Sequence, residues 1–109
     1  MKIIVIIAVS LFVTLPFSAR AADPKTNWAN NCAQCHGADG RADTKMGKQL
    51  SAKDLTDPKV QAAFTDAKAT QSIKEGVKQN GKTTMKAFGG KLTDAEIKAL
   101  VAYVRTLKK

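Results

Sequence analysis

The chain is short of the residues from which most metal and catalytic sites are assembled. Its 109 residues include one histidine, two cysteines, one tryptophan and one tyrosine. Two cysteines and one histidine fall short of the four ligands of a structural zinc site. Proline occurs three times, and no alternating run of β-branched residues appears beyond residue 21. Strand-built folds are therefore not expected, and the domain reads as all-α. No internal repeat, low-complexity tract or interdomain linker is visible, so a single small domain is expected. Acids are also scarce: 9 against 18 basic residues, a formal charge of +9.

One long apolar run is present, and it lies at the start. Met1-Lys2 is followed by a nearly continuous apolar stretch from Ile3 to Leu15, then Pro16 and the small-x-small triplet Ala19-Arg20-Ala21. This is the layout of a secretory signal peptide, here 1–21, with the folded domain at 22–109. The run is shorter than the ~20 residues of a spanning helix, which argues against stable membrane insertion. Removing 1–21 takes two bases (Lys2 and Arg20) and no acid, so the charge falls from +9 to +7. The remaining bases are scattered from Lys25 to Lys109 without interleaved aromatics, unlike a nucleic-acid-binding surface. A protein partner with acidic surface suits such a charge better.

Large apolar side chains are few in 22–109, and a domain of this size is marginal without a staple or a cofactor. A disulfide between Cys32 and Cys35 would close a tiny loop and stabilise little. A buried macrocycle would give those side chains something to pack around.

Helix signals are spread along the domain. Asp23-Pro24 reads as an N-cap with proline at the first helical position. Trp28, Cys32 and Cys35 follow at i, i+4 and i+7, on one helical face, and Gly37 ends the helix. Residues 37–57 read as a long loop with a short helical turn near Lys45 to Leu50, and Pro58 opens a short helix through Phe64. Asp66 to Gln79 reads as a further helix, weakened at Gly76 and stopped by Asn80-Gly81. Thr93-Asp94-Ala95-Glu96 is a capping box. It precedes the apolar stripe Ile97, Leu100, Val101, Val104 and Leu107.

The most specific signal is Cys32-Ala33-Gln34-Cys35-His36. The pattern C-x-x-C-H reads as covalent haem attachment. Two thiols about one helical turn apart can each reach a vinyl group on one porphyrin edge, and the next residue can turn its imidazole to the iron. A thiol–disulfide oxidoreductase is the competing reading of C-x-x-C, but it expects a βαβ context that is absent from the pattern. The single histidine limits the chain to one haem and forbids bis-histidine ligation. A sixth ligand must then be methionine, another side chain, water or nothing. Met46 and Met85 are the methionines of 22–109, and Met85 is favoured because a chain tethered at His36 needs length to reach the opposite face.

These residues resemble the class I cytochrome c family, especially its small bacterial monohaem, c6-like members. The resemblance rests on Cys32-Ala33-Gln34-Cys35-His36-Gly37, on the stretch from Gly81 through Met85 to Thr93, and on the terminal helix from Asp94 with its aromatic Tyr103. It implies a small fold in which the first and last helices cross near Trp28 and Tyr103, with loops wrapped round one haem. It also implies covalent haem c on Cys32 and Cys35, with His36 and Met85 as axial iron ligands. The implied protein is a monomeric periplasmic one-electron carrier, not an enzyme, shuttling electrons between redox proteins. Lysines 45, 48, 82 and 86 would lie nearest the haem and face acidic docking surfaces. Two positions depart from the family pattern: Lys86 stands where proline often follows the methionine, and no proline occurs between His36 and Pro58. The carbonyl that receives the second ring proton of His36 must therefore come from elsewhere, for example near Lys45 to Gly47. An alternative is a haem protein with a labile sixth ligand, a peroxidase or gas-binding site.

Overall fold

The computed structural model describes residues 10–16 and 21–109. Most of the expected leader, including 1–9 and the stretch 17–20 before the cleavage site, lies outside the described residues. Among the described residues, no helix is long and apolar enough to cross a membrane.

Among the described residues, six helices and one small hairpin follow in order: α1 Pro24–Asn31, α2 Ala33–His36, α3 Lys45–Gln49, α4 Pro58–Ala62, α5 Asp66–Glu75, β1 Val77–Gln79, β2 Lys82–Met85 and α6 Asp94–Thr106. The helix starts follow from capping chemistry. The Asp23 carboxylate accepts from the amide of Lys25, Thr44 from Gly47, Asp57 from Lys59 and Thr65 from Lys68. Each satisfies one of the amides that a helix start leaves without an internal acceptor. The capping box of α6 forms in both directions: the Glu96 amide donates to Thr93 Oγ1 at 3.1 Å, and the Thr93 amide donates to Glu96 Oε1 at 3.1 Å.

The stripe on α6 is the centre of the core. Ile97, Leu100, Val101 and Val104 are buried, and Leu107 is packed partly buried against the same cluster. Trp28 and Cys32 join it from the N-terminal side, with Ile73 from α5 and Phe88 and Leu92 from the segment before α6. Complete burial of a leucine or isoleucine contributes roughly 1.5–3 kcal/mol. That makes Ile97 and Leu100, the two least exposed large side chains, principal anchors of the fold. At the far end of α6, Arg105 clamps the α4–α5 junction. It donates to Asp66 Oδ1 (2.8 Å), the Gln61 carbonyl (2.6 Å), Gln61 Oε1 (2.9 Å) and the Phe64 carbonyl (2.8 Å).

Three local expectations change. The first helix is not continuous through Gly37. Cys32, at φ −117° and ψ −36°, separates α1 from α2, while its amide still donates to the Trp28 carbonyl. The helix expected over 66–79 ends at Glu75, because Gly76 adopts φ 79° and ψ −179°. That conformation is essentially restricted to glycine. Residues 77–85 then form an antiparallel hairpin, with Val77 opposite Met85, Lys78 opposite Thr83 and Gln79 opposite Lys82. Asn80-Gly81 is its turn and not a helix stop. Both residues have positive φ, 51° and 76°, as a type I′ hairpin turn requires. The fold of the described residues is mostly helical, with this small two-stranded sheet added.

Candidate functional site

The attachment motif is built by short-range geometry. Asp23 and Pro24 start α1, which places Trp28 and Cys32 one turn apart on the face that meets α6. The backbone stays near-helical through the break at Cys32, so Cys35 and His36 follow within the next turn. The amides of Cys35 and His36 both donate to the Cys32 carbonyl, at 3.2 Å and 2.9 Å. Gly37 stops α2 directly after the histidine. Thr44 then holds the next segment against the motif: its hydroxyl donates to the Cys35 carbonyl at 2.7 Å and accepts from the Gly47 amide at 2.9 Å.

The electrostatics of the motif argue against thiol exchange. Cys32 and Cys35 are both free thiols, the first buried and the second half-buried. Burial, with Cys35 alongside, pushes the Cys32 thiol up to about 11. A thiol–disulfide oxidoreductase needs the reverse, a thiol whose pKa is depressed so that it reacts as thiolate. Burial also holds the His36 imidazole below its usual pKa. This favours the neutral ring, the form that binds metals. His36 Nδ1 is buried with no hydrogen-bond partner among the described residues.

Trp28 stands beside this histidine. Its ring centroid is 5.6 Å from that of His36 and 5.6 Å from that of Tyr103. Its Nε1–H donates to the Gly37 carbonyl at 3.0 Å. The expected meeting of the first and last helices at Trp28 and Tyr103 is therefore present. The carbonyl bond to Gly37 had no signal in the sequence.

Met85 is held by long-range contacts. It is the last residue of β2, half-buried and packed against the core cluster. A Cβ added at Gly76 would lie 2.6 Å from the Met85 carbonyl and 2.9 Å from the Ala87 amide, so the methionine segment rests directly on that glycine. The Phe88 amide donates to the Ile73 carbonyl at 2.9 Å, and the Gly89 amide to that of Lys74 at 3.1 Å. These bonds fix the residues after Met85 to the C-terminal end of α5. Met46, in α3, is 39% exposed and lines a surface depression with Gln34, Lys45 and Gln49.

These residues suit a covalently attached haem. Two unpaired thiols one turn apart and an adjacent half-buried imidazole, held toward its neutral form, make up the donor set that such attachment uses. Among the described residues, no group of three or more His, Cys, Asp or Glu side chains is gathered to hold a free metal ion.

Comparisons with known proteins agree. The family model described as cytochrome C oxidase, cbb3-type, subunit III matches residues 19–104. Cytochrome c6 of Picosynechococcus sp. is 37% identical over 103 residues, covering 92% of this chain and 84% of that protein. The cbb3-type cytochrome c oxidase subunit FixP of Azorhizobium caulinodans is 38% identical over 80 residues, which are 73% of this chain and 25% of FixP. Among solved structures, the KustC0563 c-type cytochrome superposes with a TM-score of 0.71 at 36% identity, over 81% of this chain and all of that one. The likeness runs through nearly the whole domain in both sequence and fold, and the protein belongs to the cytochrome c family, with covalently bound haem c as its cofactor.

Proposed function

We propose that this protein is an exported, monomeric one-electron carrier that shuttles electrons between redox proteins of the periplasm. In this reading Cys32 and Cys35 carry the thioether bonds, and His36 and Met85 are the axial ligands. Bound haem c supplies an iron that alternates between ferric and ferrous states, one electron at a time. The carrying observation is a half-buried His36, held toward its neutral form beside two free thiols, together with a half-buried Met85 on a separately braced segment.

His36 and Met85 together would fill both axial positions and leave none for a substrate, which is why the reading is electron transfer and not catalysis. The thioether of Met85 would favour the reduced state and raise the potential. The apolar side chains of Trp28, Phe88 and Leu100 keep water out of the core and disfavour added charge there. Lys45, Lys82 and Lys86 are exposed and would steer an acidic partner at moderate salt. Lys48 contributes less, because its ammonium is paired with Asp43 at 2.9 Å. The leader-like 1–21 and the similarity to cytochrome c6 support export.

Met85→Ala tests the ligation. The exported variant should keep the haem mass but change from a low-spin to a high-spin ferric spectrum, with a lower midpoint potential and faster cyanide uptake. An unchanged spectrum would remove Met85 as ligand and turn the search to Met46. A wild-type protein that is already high-spin and takes up carbon monoxide would replace the carrier reading with that of a labile sixth position.

A further inference from the structure

A cut after Ala21 makes Ala22 the first residue of the domain, and the nitrogen of Ala22 already has a partner. It donates to Glu96 Oε2 at 3.3 Å, across 74 positions of the chain. The same oxygen accepts from the Asn27 side chain at 2.8 Å. The other oxygen, Oε1, accepts from the Thr93 amide at 3.1 Å as part of the capping box. One carboxylate thus joins the residue before the N-cap of α1, the middle of α1 and the start of α6.

That carboxylate is held in place by its neighbours. Asn27 is 5% exposed, and its main-chain amide donates to the Asp23 carbonyl at 2.9 Å. The Glu96 amide donates to Thr93 Oγ1 at 3.1 Å. The bonds from Asn27 and Thr93 hold the carboxyl below the ordinary glutamate range, so it is charged at neutral pH. A negative group in the first turn also suits the dipole of α6. The nearest other carboxylate along the chain, Asp23, is taken up in capping α1, where it accepts from the Lys25 amide at 3.3 Å. Ala21 and Ala22 are both exposed, so the peptide bond between them is accessible.

In the uncut chain the nitrogen of Ala22 is an amide, with a single N–H and no charge. Hydrolysis of the Ala21–Ala22 bond consumes a water and leaves a carboxylate on Ala21 and an ammonium on Ala22. Hydrogen bonds between ionised groups are roughly twice as strong as neutral ones. Resting on the reading of 1–21 as a cleaved leader, we infer that Glu96 is the receptor for the new amino terminus: removal of the leader turns a neutral contact into an ion pair that fastens the start of α1 to the start of α6. α1 carries Trp28 and runs into Cys32, and α6 carries the core stripe. The pair therefore closes the interface on which the attachment motif rests. It forms in the processed chain alone, so processing adds stability to the domain that it releases.

The test uses the exported holoprotein and crosses two changes. A Gly-Gly insertion between Ala21 and Ala22 keeps an amide nitrogen at Ala22 and moves the charge away from it. Glu96→Gln keeps an acceptor oxygen and removes the negative partner. Intact mass fixes the first residue of each protein, and the urea midpoint is then measured for the parent, each variant and the combination. The insertion should lower the midpoint when Glu96 is present and leave it unchanged in the Glu96→Gln background. The lowering should shrink as salt is raised, as for any exposed ion pair. The haem spectrum should be the same throughout. Equal lowering in both backgrounds, or none in either, overturns the inference while the cleaved leader stands. A parent protein whose mass shows a first residue other than Ala22 overturns the leader reading as drawn here, and the inference with it.

Discussion

The two methionine- and cysteine-bearing regions of this molecule are held by different means. Cys32, Cys35 and His36 sit within five consecutive residues, and their relative placement follows from near-helical backbone and a glycine stop. Met85 depends on partners far away in the chain: Val77 across the hairpin, Gly76 beneath it, and the carbonyls of Ile73 and Lys74 that anchor Phe88 and Gly89. A local arrangement survives modest damage elsewhere, because few contacts specify it. One assembled from several segments loosens when any of them moves. The attachment side should therefore tolerate changes that release the methionine side, and the reverse should not hold.

The sharpest break is at the thiols. Cys32→Ala with Cys35→Ala should abolish attachment, seen as a deficit of ~600 Da in intact mass, the rounded mass of the cofactor that the motif carries. Without the macrocycle the thin core should not fold stably, and circular dichroism should show most of the helix lost. A stably folded double variant would mean that the polypeptide core suffices by itself.

A smaller effect, and a direct test of the asymmetry, is expected at Gly76. Gly76→Ala puts a Cβ against the Met85 carbonyl in a conformation that residues other than glycine avoid. The cost is of order 1–3 kcal/mol. The expected result is a full haem mass, a lower urea midpoint and a larger high-spin fraction. Equal loss of attachment and of the low-spin spectrum would show that the two sides are not separable.

The smallest effect concerns acid. Glu96 joins the two ends of the domain: its Oε2 accepts from the Asn27 amide group of α1 at 2.8 Å, while Oε1 belongs to the capping box. The Asn27 bond first, and then the Thr93 amide, hold its carboxyl below the usual glutamate range. A depressed carboxylate contributes stability above its unfolded pKa, about 4.3. That contribution is lost as pH falls through the lower folded value. Glu96→Gln should thus be less stable near neutrality and lose less on acidification from about pH 5 to about pH 3. Thermal unfolding of both proteins across that window gives the comparison. Parallel curves would show that Glu96 does not couple α1 to α6.

Much of this was legible beforehand where the physics is local. The caps at Asp23, Thr93 and Glu96 and the stripe on α6 were readable because neighbours three and four residues apart share a helical face. The hairpin is not legible in the same way. Asn80-Gly81 stops a helix or turns a hairpin with equal ease, and the conformation of Gly76 decided which. The same local chemistry made the motif at 32–36 readable, since spacing along one helical turn is a property of the chain itself.

By itself, then, the sequence determined the cofactor, the spacing within the motif at 32–36 and the helical frame, because each depends on residues within a turn or two of one another. Only the tertiary structure decided what supports them. It set the indole of Trp28 5.6 Å from both the His36 and the Tyr103 rings and seated the Met85 segment on Gly76. Those placements come from packing between segments up to 75 residues apart, as Trp28 and Tyr103 are (103 − 28), and the spacing of neighbours along the chain carries no record of them.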